Sequence, residues 1–168
     1  VGRDWHGVPM VYLLVGLTGS GKTTYAQRRL EPGAVRLSVD ETVVRDHGRY
    51  GVDYPEHEYF PLEASAVAEV RRRLAELVAG GRDVVLDHGL WLRRDREDWK
   101  KLVQEAGGTW RLLYFPVPRD ELLRRLEARN LRQDANALMV SESALDDFYR
   151  RFEPPHGEGE EIVAPDWC

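Results

Sequence analysis

The chain has 168 residues, 42% of them hydrophobic and 32% charged, with a formal net charge of −5. That length and balance suit one domain with a real core and exclude long disordered tracts. The acidic charge argues against a dedicated nucleic-acid binder, which presents a basic face, though not against a local basic funnel.

A single cysteine, Cys168, permits no intrachain disulfide and is compatible with a reducing cytoplasm. The apolar runs are strand-length, far short of the ~20 residues of a membrane helix. Residues 1–9 lack the basic start and apolar stretch of a signal peptide and read as a loose lead-in to one domain over 1–168. Residues 11–16 (VYLLVG) predict a buried parallel strand. Residues 21–30 predict a helix stopped by Pro32-Gly33, and 34–39 a second strand. A helix is expected over 40–46, with Asp40 at its N-terminal edge. Residues 47–61, rich in Gly, Tyr, Pro and His, have no period and read as a functional loop or small lid.

Leu62, Ala66, Val70, Leu74, Leu77 and Val78 then recur at helical spacing until Gly80-Gly81. Residues 84–87 predict a third strand ending in an acid, 93–106 a helix, and 109–115 a fourth strand after Gly107-Gly108. A helix over 118–130 carries Leu122, Leu123 and Leu126, and 131–140 is a break. Residues 143–152 predict another helix, stopped by Pro154-Pro155, and 161–164 a short last strand. Repeated strand–helix–strand units predict an α/β, three-layer fold. Its sheet is about five-stranded and mostly parallel, with helices on both faces.

Gly16-Leu17-Thr18-Gly19-Ser20-Gly21-Lys22-Thr23 matches G-x-x-x-x-G-K-[ST] in full. Glycines let the backbone curl so that its N–H groups converge on phosphate oxygens, and the following helix presents its positive end. Lys22 supplies a point charge for the outer phosphates. The Thr23 hydroxyl suits Mg²⁺, and Thr24 adds a phosphate hydrogen bond. A chance glycine-rich turn fits less well, because the motif sits between a predicted strand and a predicted helix.

Open parallel sheets bind ligands at the carboxyl ends of their strands. Asp40 follows the second strand and Asp87 ends the third. Phosphoryl transfer to a hydroxyl needs a carboxylate that orients the acceptor and takes its proton. Asp40 suits that role, and Asp87 suits metal or acceptor binding. The plainer readings are a helix N-cap for Asp40 and a strand-closing turn acid for Asp87. Arg125, Arg129 and Arg132 are spaced by four and three, so they share one face of a continuing helix. Arg129 and Arg132 suit a lid that closes on the triphosphate and neutralises developing charge. A solvated helix face is the alternative, with Glu121 and Glu127 as weak partners.

These pieces, with Leu86-Asp87-His88-Gly89-Leu90-Trp91 and Phe152-Glu153-Pro154-Pro155, resemble small P-loop kinases over most of the chain. That group is related to polynucleotide 5′-kinase domains, zeta toxins and chloramphenicol phosphotransferase. The resemblance implies transfer of the γ-phosphoryl of ATP or GTP to a hydroxyl, with Mg²⁺. It implies a general-base role for Asp40 and lid roles for Arg129 and Arg132. For Asp87 it implies an acid near the metal, the lysine or the acceptor. Arg45 loosely matches an acceptor-phosphate arginine of polynucleotide kinases.

The leading expectation is a kinase acting on a small hydroxyl compound, an antibiotic or other metabolite among the candidates. Tyr50, Tyr54, Tyr59 and Trp91 are candidates to stack on it. A polynucleotide 5′-hydroxyl kinase is the second reading, and a nucleotide-dependent switch or binding module the third.

Overall fold

The computed structural model describes residues 7–49, 52–131 and 142–164. Arg132, Tyr50 and Cys168 lie outside the described residues. Strands β1 (Met10–Val15), β2 (Val35–Ser38), β3 (Val84–Asp87), β4 (Thr109–Tyr114) and β5 (Glu160–Ile162) form one sheet in the order β2-β3-β1-β4-β5. Every ladder is parallel.

Strand side chains alternate between two cores. Val11, Leu13 and Val15 share one face with Val84, Leu86 and Leu112. Leu14, Val85 and Leu113 share the other with Phe115. On the first face lie α3 (Tyr59–Ala79), α4 (Arg93–Glu105), α5 (Arg119–Leu131) and α6 (Glu142–Arg151). Ala66, Val70, Leu74 and Val78 are the buried stripe of α3, as the helical spacing predicts. The second face is covered by α1 (Lys22–Tyr25), through Tyr25 and the residues that follow it, Ala26 and Leu30. Each fully buried Val or Leu contributes about 1.5–3 kcal/mol relative to exposure. This three-layer arrangement is the expected one, and all of its ladders, rather than most, are parallel.

Several element ends differ from expectation. The helix expected over 21–30 is α-helical only through Tyr25 and continues as a π-helix over Ala26–Leu30. There Glu31 N donates to Ala26 O at 2.9 Å, five residues back. Glu31 is extended because Pro32 follows it and disfavours a helical residue before it. The second strand stops at Ser38, whose hydroxyl accepts from Glu41 N at 3.2 Å and caps α2 (Val39–His47). Helix α3 starts at Tyr59, ahead of Leu62, since Pro61 in a first turn forfeits no helical hydrogen bond. Strand β5 starts one residue early, at Glu160, and its outer residues Glu161 and Ile162 are exposed. No helix among the described residues is long and apolar enough to cross a membrane.

Candidate functional site at the carboxyl edge of the sheet

The phosphate loop leaves β1 and bends through Gly19 (φ 86°) and Gly21 (φ 96°), both in the left-handed region that glycine tolerates. A Cβ on Gly19 would meet Leu126 at 3.1 Å and Leu122 at 3.2 Å, so α5 packs directly on the loop. Lys22 folds back onto its own loop and donates Nζ to Gly16 O at 2.9 Å and Leu17 O at 3.1 Å. Burial pulls its ammonium below the ordinary lysine range, against the opposing charges of Asp87 and Asp40. Thr23 and Thr24 are exposed. Ser20 is 3% exposed, and its Oγ has no partner among the described residues. It lines a cavity of about 170 Å³ behind the loop, with Phe115, Leu122 and Phe152 among the other walls. Thr18 is half-buried at the bend.

Asp87 is brought to the loop by the register of β3 beside β1, where it pairs with Leu14. Its Oδ2 accepts from Thr23 Oγ1 at 2.6 Å. The carboxylate is 6% exposed, and its charge is balanced by Arg36 of β2, whose Nε and Nη2 donate to Oδ2 at 3.2 and 3.1 Å. More than a turn acid, Asp87 ties the third strand to the loop threonine.

The Thr23 hydroxyl and Asp87 carboxylate are hard oxygen donors side by side, as Mg²⁺ requires. Among the described residues there is no cluster of three or more His, Cys, Asp or Glu that could hold a metal. Mg²⁺ sites in general rely on one or two protein oxygens, waters and substrate phosphates.

The structure corrects the N-cap reading of Asp40. Ser38 is the cap, and Asp40 lies in the first turn of α2. Asp40 is exposed, and its Oδ1 accepts from Tyr59 Oη at 2.9 Å. Burial first, then the charges of Asp40 and Glu63, push the Tyr59 phenol well above its ordinary range, so it remains a donor. Arg45 sits on the outer surface of α2, where Asp46 and Glu69 bind it at 2.8 and 2.9 Å.

The loop after β3 closes the site from the side. Gly89 (φ 84°) passes its carbonyl to Gly16 N at 3.1 Å, and buried Leu90 holds φ 50°, a backbone that costs a leucine energy. His88 packs edge-on to Trp99, and its buried Nδ1 has no partner among the described residues. Burial lowers its pKa, opposed by Asp40, Glu63 and Asp95. Trp91 is half-buried against Phe148, with ring centroids 5.2 Å apart. Tyr54 is 8% exposed and joins the core.

Helix α5 brings Arg125 to the loop. Arg124 and Arg125 pair with Glu121, and Arg125 Nη1 also reaches Gly19 O at 3.3 Å. Arg129 follows one turn later on the same face, half-buried and without an ion pair among the described residues. The expected role of Arg132 falls on a residue outside them.

Sequence reasoning missed two groups. Arg36 was legible as a charge inside a short half-buried strand (VRLS), where a charge calls for a partner. Arg96 and Lys100 occupy the core stripe of α4 with Trp99 and Val103, a place their spacing fits but their charge argues against. Arg96 is buried against Glu158 at 2.8 Å and donates to Leu90 O and Trp91 O.

A phosphate loop after the first strand, an acid ending its neighbour and the strand order β2-β3-β1-β4-β5 define a P-loop protein with a kinase-like fold. Residues 11–155 match the family model described as an AAA domain, and the chain belongs to that family. It is similar to a putative kinase from Chloroflexus aurantiacus, with 19% identity over 95% of this chain and 87% of that one, and a TM-score of 0.75. A chain of the Pnkp1/Rnl/Hen1 RNA repair complex is 21% identical over 95% of this chain and 51% of that one, with a TM-score of 0.68. The APS kinase CysC of Mycobacterium tuberculosis, in complex with AMPPNP and APS, is 19% identical over 96% and 91%, with a TM-score of 0.61. At these identities the likeness is one of fold. No curated protein matches the sequence at a significant level.

Proposed function

We propose that the chain is an ATP- or GTP-dependent phosphotransferase that moves the γ-phosphoryl to a hydroxyl of a small-molecule acceptor. The observation that carries this reading is Asp40. It is an exposed carboxylate in the first turn of α2, oriented through one oxygen by Tyr59, and its charge is felt at Lys22 of the phosphate loop. A nucleotide clamp alone has no use for an oriented acid beside the triphosphate.

In this mechanism the backbone of 16–24 cradles the phosphates. Lys22 exchanges its loop carbonyls for phosphate oxygens, which restore the charge that burial opposes. Asp40 accepts the proton of the acceptor hydroxyl as its oxygen bonds to the γ-phosphorus, and the bond to the β–γ bridging oxygen breaks to release the nucleoside diphosphate. Thr23 and Asp87 would hold Mg²⁺, which when bound would supply positive charge against the phosphates. Arg125 and Arg129 stabilise charge on the transferring group from α5. Trp91, half-buried against Phe148, is an acceptor contact, and Arg45 serves an anionic acceptor only by leaving Glu69.

The likeness to the Pnkp1-containing chain supports a second reading, in which the acceptor is a polynucleotide 5′-hydroxyl. One experiment separates the readings. The chain is incubated with ATP or GTP, Mg²⁺ and a panel of hydroxyl compounds that includes 5′-hydroxyl oligonucleotides. Mass spectrometry then detects a phosphate-sized gain. A gain on a small molecule supports the proposal, and a gain on oligonucleotides alone replaces it with the second reading. Nucleotide hydrolysis without a gain on any acceptor refutes both and leaves a nucleotide-dependent switch.

A further inference from the structure

Four charged or hydroxyl side chains form an unbroken chain from the acid-bearing turn of α2 to the phosphate loop. Glu41 adjoins Asp40 and takes two hydrogen bonds from Arg36, Nη1 to Oε2 at 3.0 Å and Nη2 to Oε1 at 2.8 Å. The same guanidinium donates two bonds to Asp87 Oδ2, the oxygen that also accepts from Thr23 Oγ1. Asp87 thus receives three donors on one oxygen, and no described residue donates to Oδ1. Among the described residues, Arg36 is the only side chain hydrogen-bonded to both the α2 turn and β3. Its own side chain is 10% exposed, against 64% for Glu41, so the relay runs from solvent to the floor of the site.

We propose that Arg36 is a positioning residue for the metal-bound nucleotide. Resting on the phosphotransferase reading, it holds the Asp87 carboxylate by its Oδ2 edge, leaves Oδ1 without a donor among the described residues, and is itself fixed by Glu41. The planar fork is what does this. Glu41 takes two parallel N–H bonds, one on each oxygen, while Nε and Nη2 converge on Oδ2 of Asp87, a fixed fork geometry that a lysine ammonium cannot reproduce. Partners one bond removed from a metal-binding group typically change metal affinity by about 10–100-fold when lost. Asp40 and Glu41 are adjacent in one helical turn, so the relay also fixes the acid-bearing turn relative to Thr23.

The test is calorimetric titration of the whole chain with ATP, once with excess Mg²⁺ and once with EDTA, and it needs no acceptor. In wild type, Mg²⁺ strengthens ATP binding. In Arg36→Lys, which keeps the charge beside buried Asp87 and so keeps the fold, binding with Mg²⁺ should weaken about tenfold while binding in EDTA is nearly unchanged. Glu41→Gln, at an exposed site, should give the same split with a smaller amplitude. Equal weakening in both arms would mean a merely structural role and overturns the proposal. So does Mg²⁺-strengthened binding that survives Arg36→Lys intact, and so does a wild type indifferent to Mg²⁺. A wild type with the expected split, but with no acceptor phosphorylated in the panel, would sink the transfer reading and leave the Arg36 assignment standing.

Discussion

Replacing Glu158 by glutamine tests how the loop after β3 is held. Glu158 lies just before β5, beyond the matched family region, yet its carboxylate accepts from Arg96 Nε and Nη2 at 2.8 and 2.9 Å. The two side chains are 0% and 1% exposed, and Arg96 spends its remaining donor on Leu90 O and Trp91 O, the loop that carries Trp91. Removing one partner of a buried ion pair leaves the other charged and uncompensated, at a cost of about 3–5 kcal/mol. That is a large part of the ~5–15 kcal/mol that holds a typical domain together. With a urea slope of about 2 kcal/mol per molar, the midpoint should fall by roughly 1.5–2.5 M, followed by tryptophan fluorescence.

The control is Glu161→Gln. Its partner Arg111 is as close, at 2.6 Å, but the pair is 45% and 46% exposed, so the expected loss is under about 1 kcal/mol. The pH dependence has a definite sign. Burial opposes the Glu158 carboxylate, but the hydrogen bonds and charge of Arg96 outweigh it and hold the group below the ordinary glutamate range. A depressed folded-state pKa contributes stability that is complete above the unfolded value of about 4.3 and lost as pH falls through the folded one. The gap between wild type and Glu158→Gln should therefore narrow below about pH 4. A Glu158→Gln midpoint shifted no more than that of Glu161→Gln would refute the reasoning.

Two further predictions concern the chemistry. Asp40→Asn should lower phosphoryl transfer by about 10²–10⁴-fold while ATP binding by titration stays nearly unchanged. Unaltered transfer would remove Asp40 as the base. Arg129→Gln should lower kcat by about 10³-fold or more with little change in the KM for ATP, measured in a coupled nucleotide assay. An effect confined to KM would instead make Arg129 a ground-state phosphate contact.

The phosphate loop was legible because its chemistry is local. Glycine positions, Lys22 and Thr23 lie within eight consecutive residues, and the backbone path follows from residue type. The sheet and its helices were legible for a similar reason, since the periods of two and 3.6 residues are written along each element. Their ends were less so. Ser38 and Asp40 are both good capping residues two positions apart, and only the path of the chain into α2 decides between them.

What the sequence by itself determined is the phosphate loop, set between a buried strand and a helix, with acids at the ends of the next two strands. Tertiary structure decided what those acids touch. Asp87 meets Thr23 because β3 inserts between β2 and β1, and Asp40 meets Tyr59 because α3 packs on α2. The sheet order also made Arg36 a neighbour of Asp87, 51 residues away along the chain. It took Arg96 and Lys100 out of the solvent face that their charge suggests. Contacts of this range depend on which strands lie side by side, and hydrophobic patterning, which is indifferent to strand order, carries no record of it.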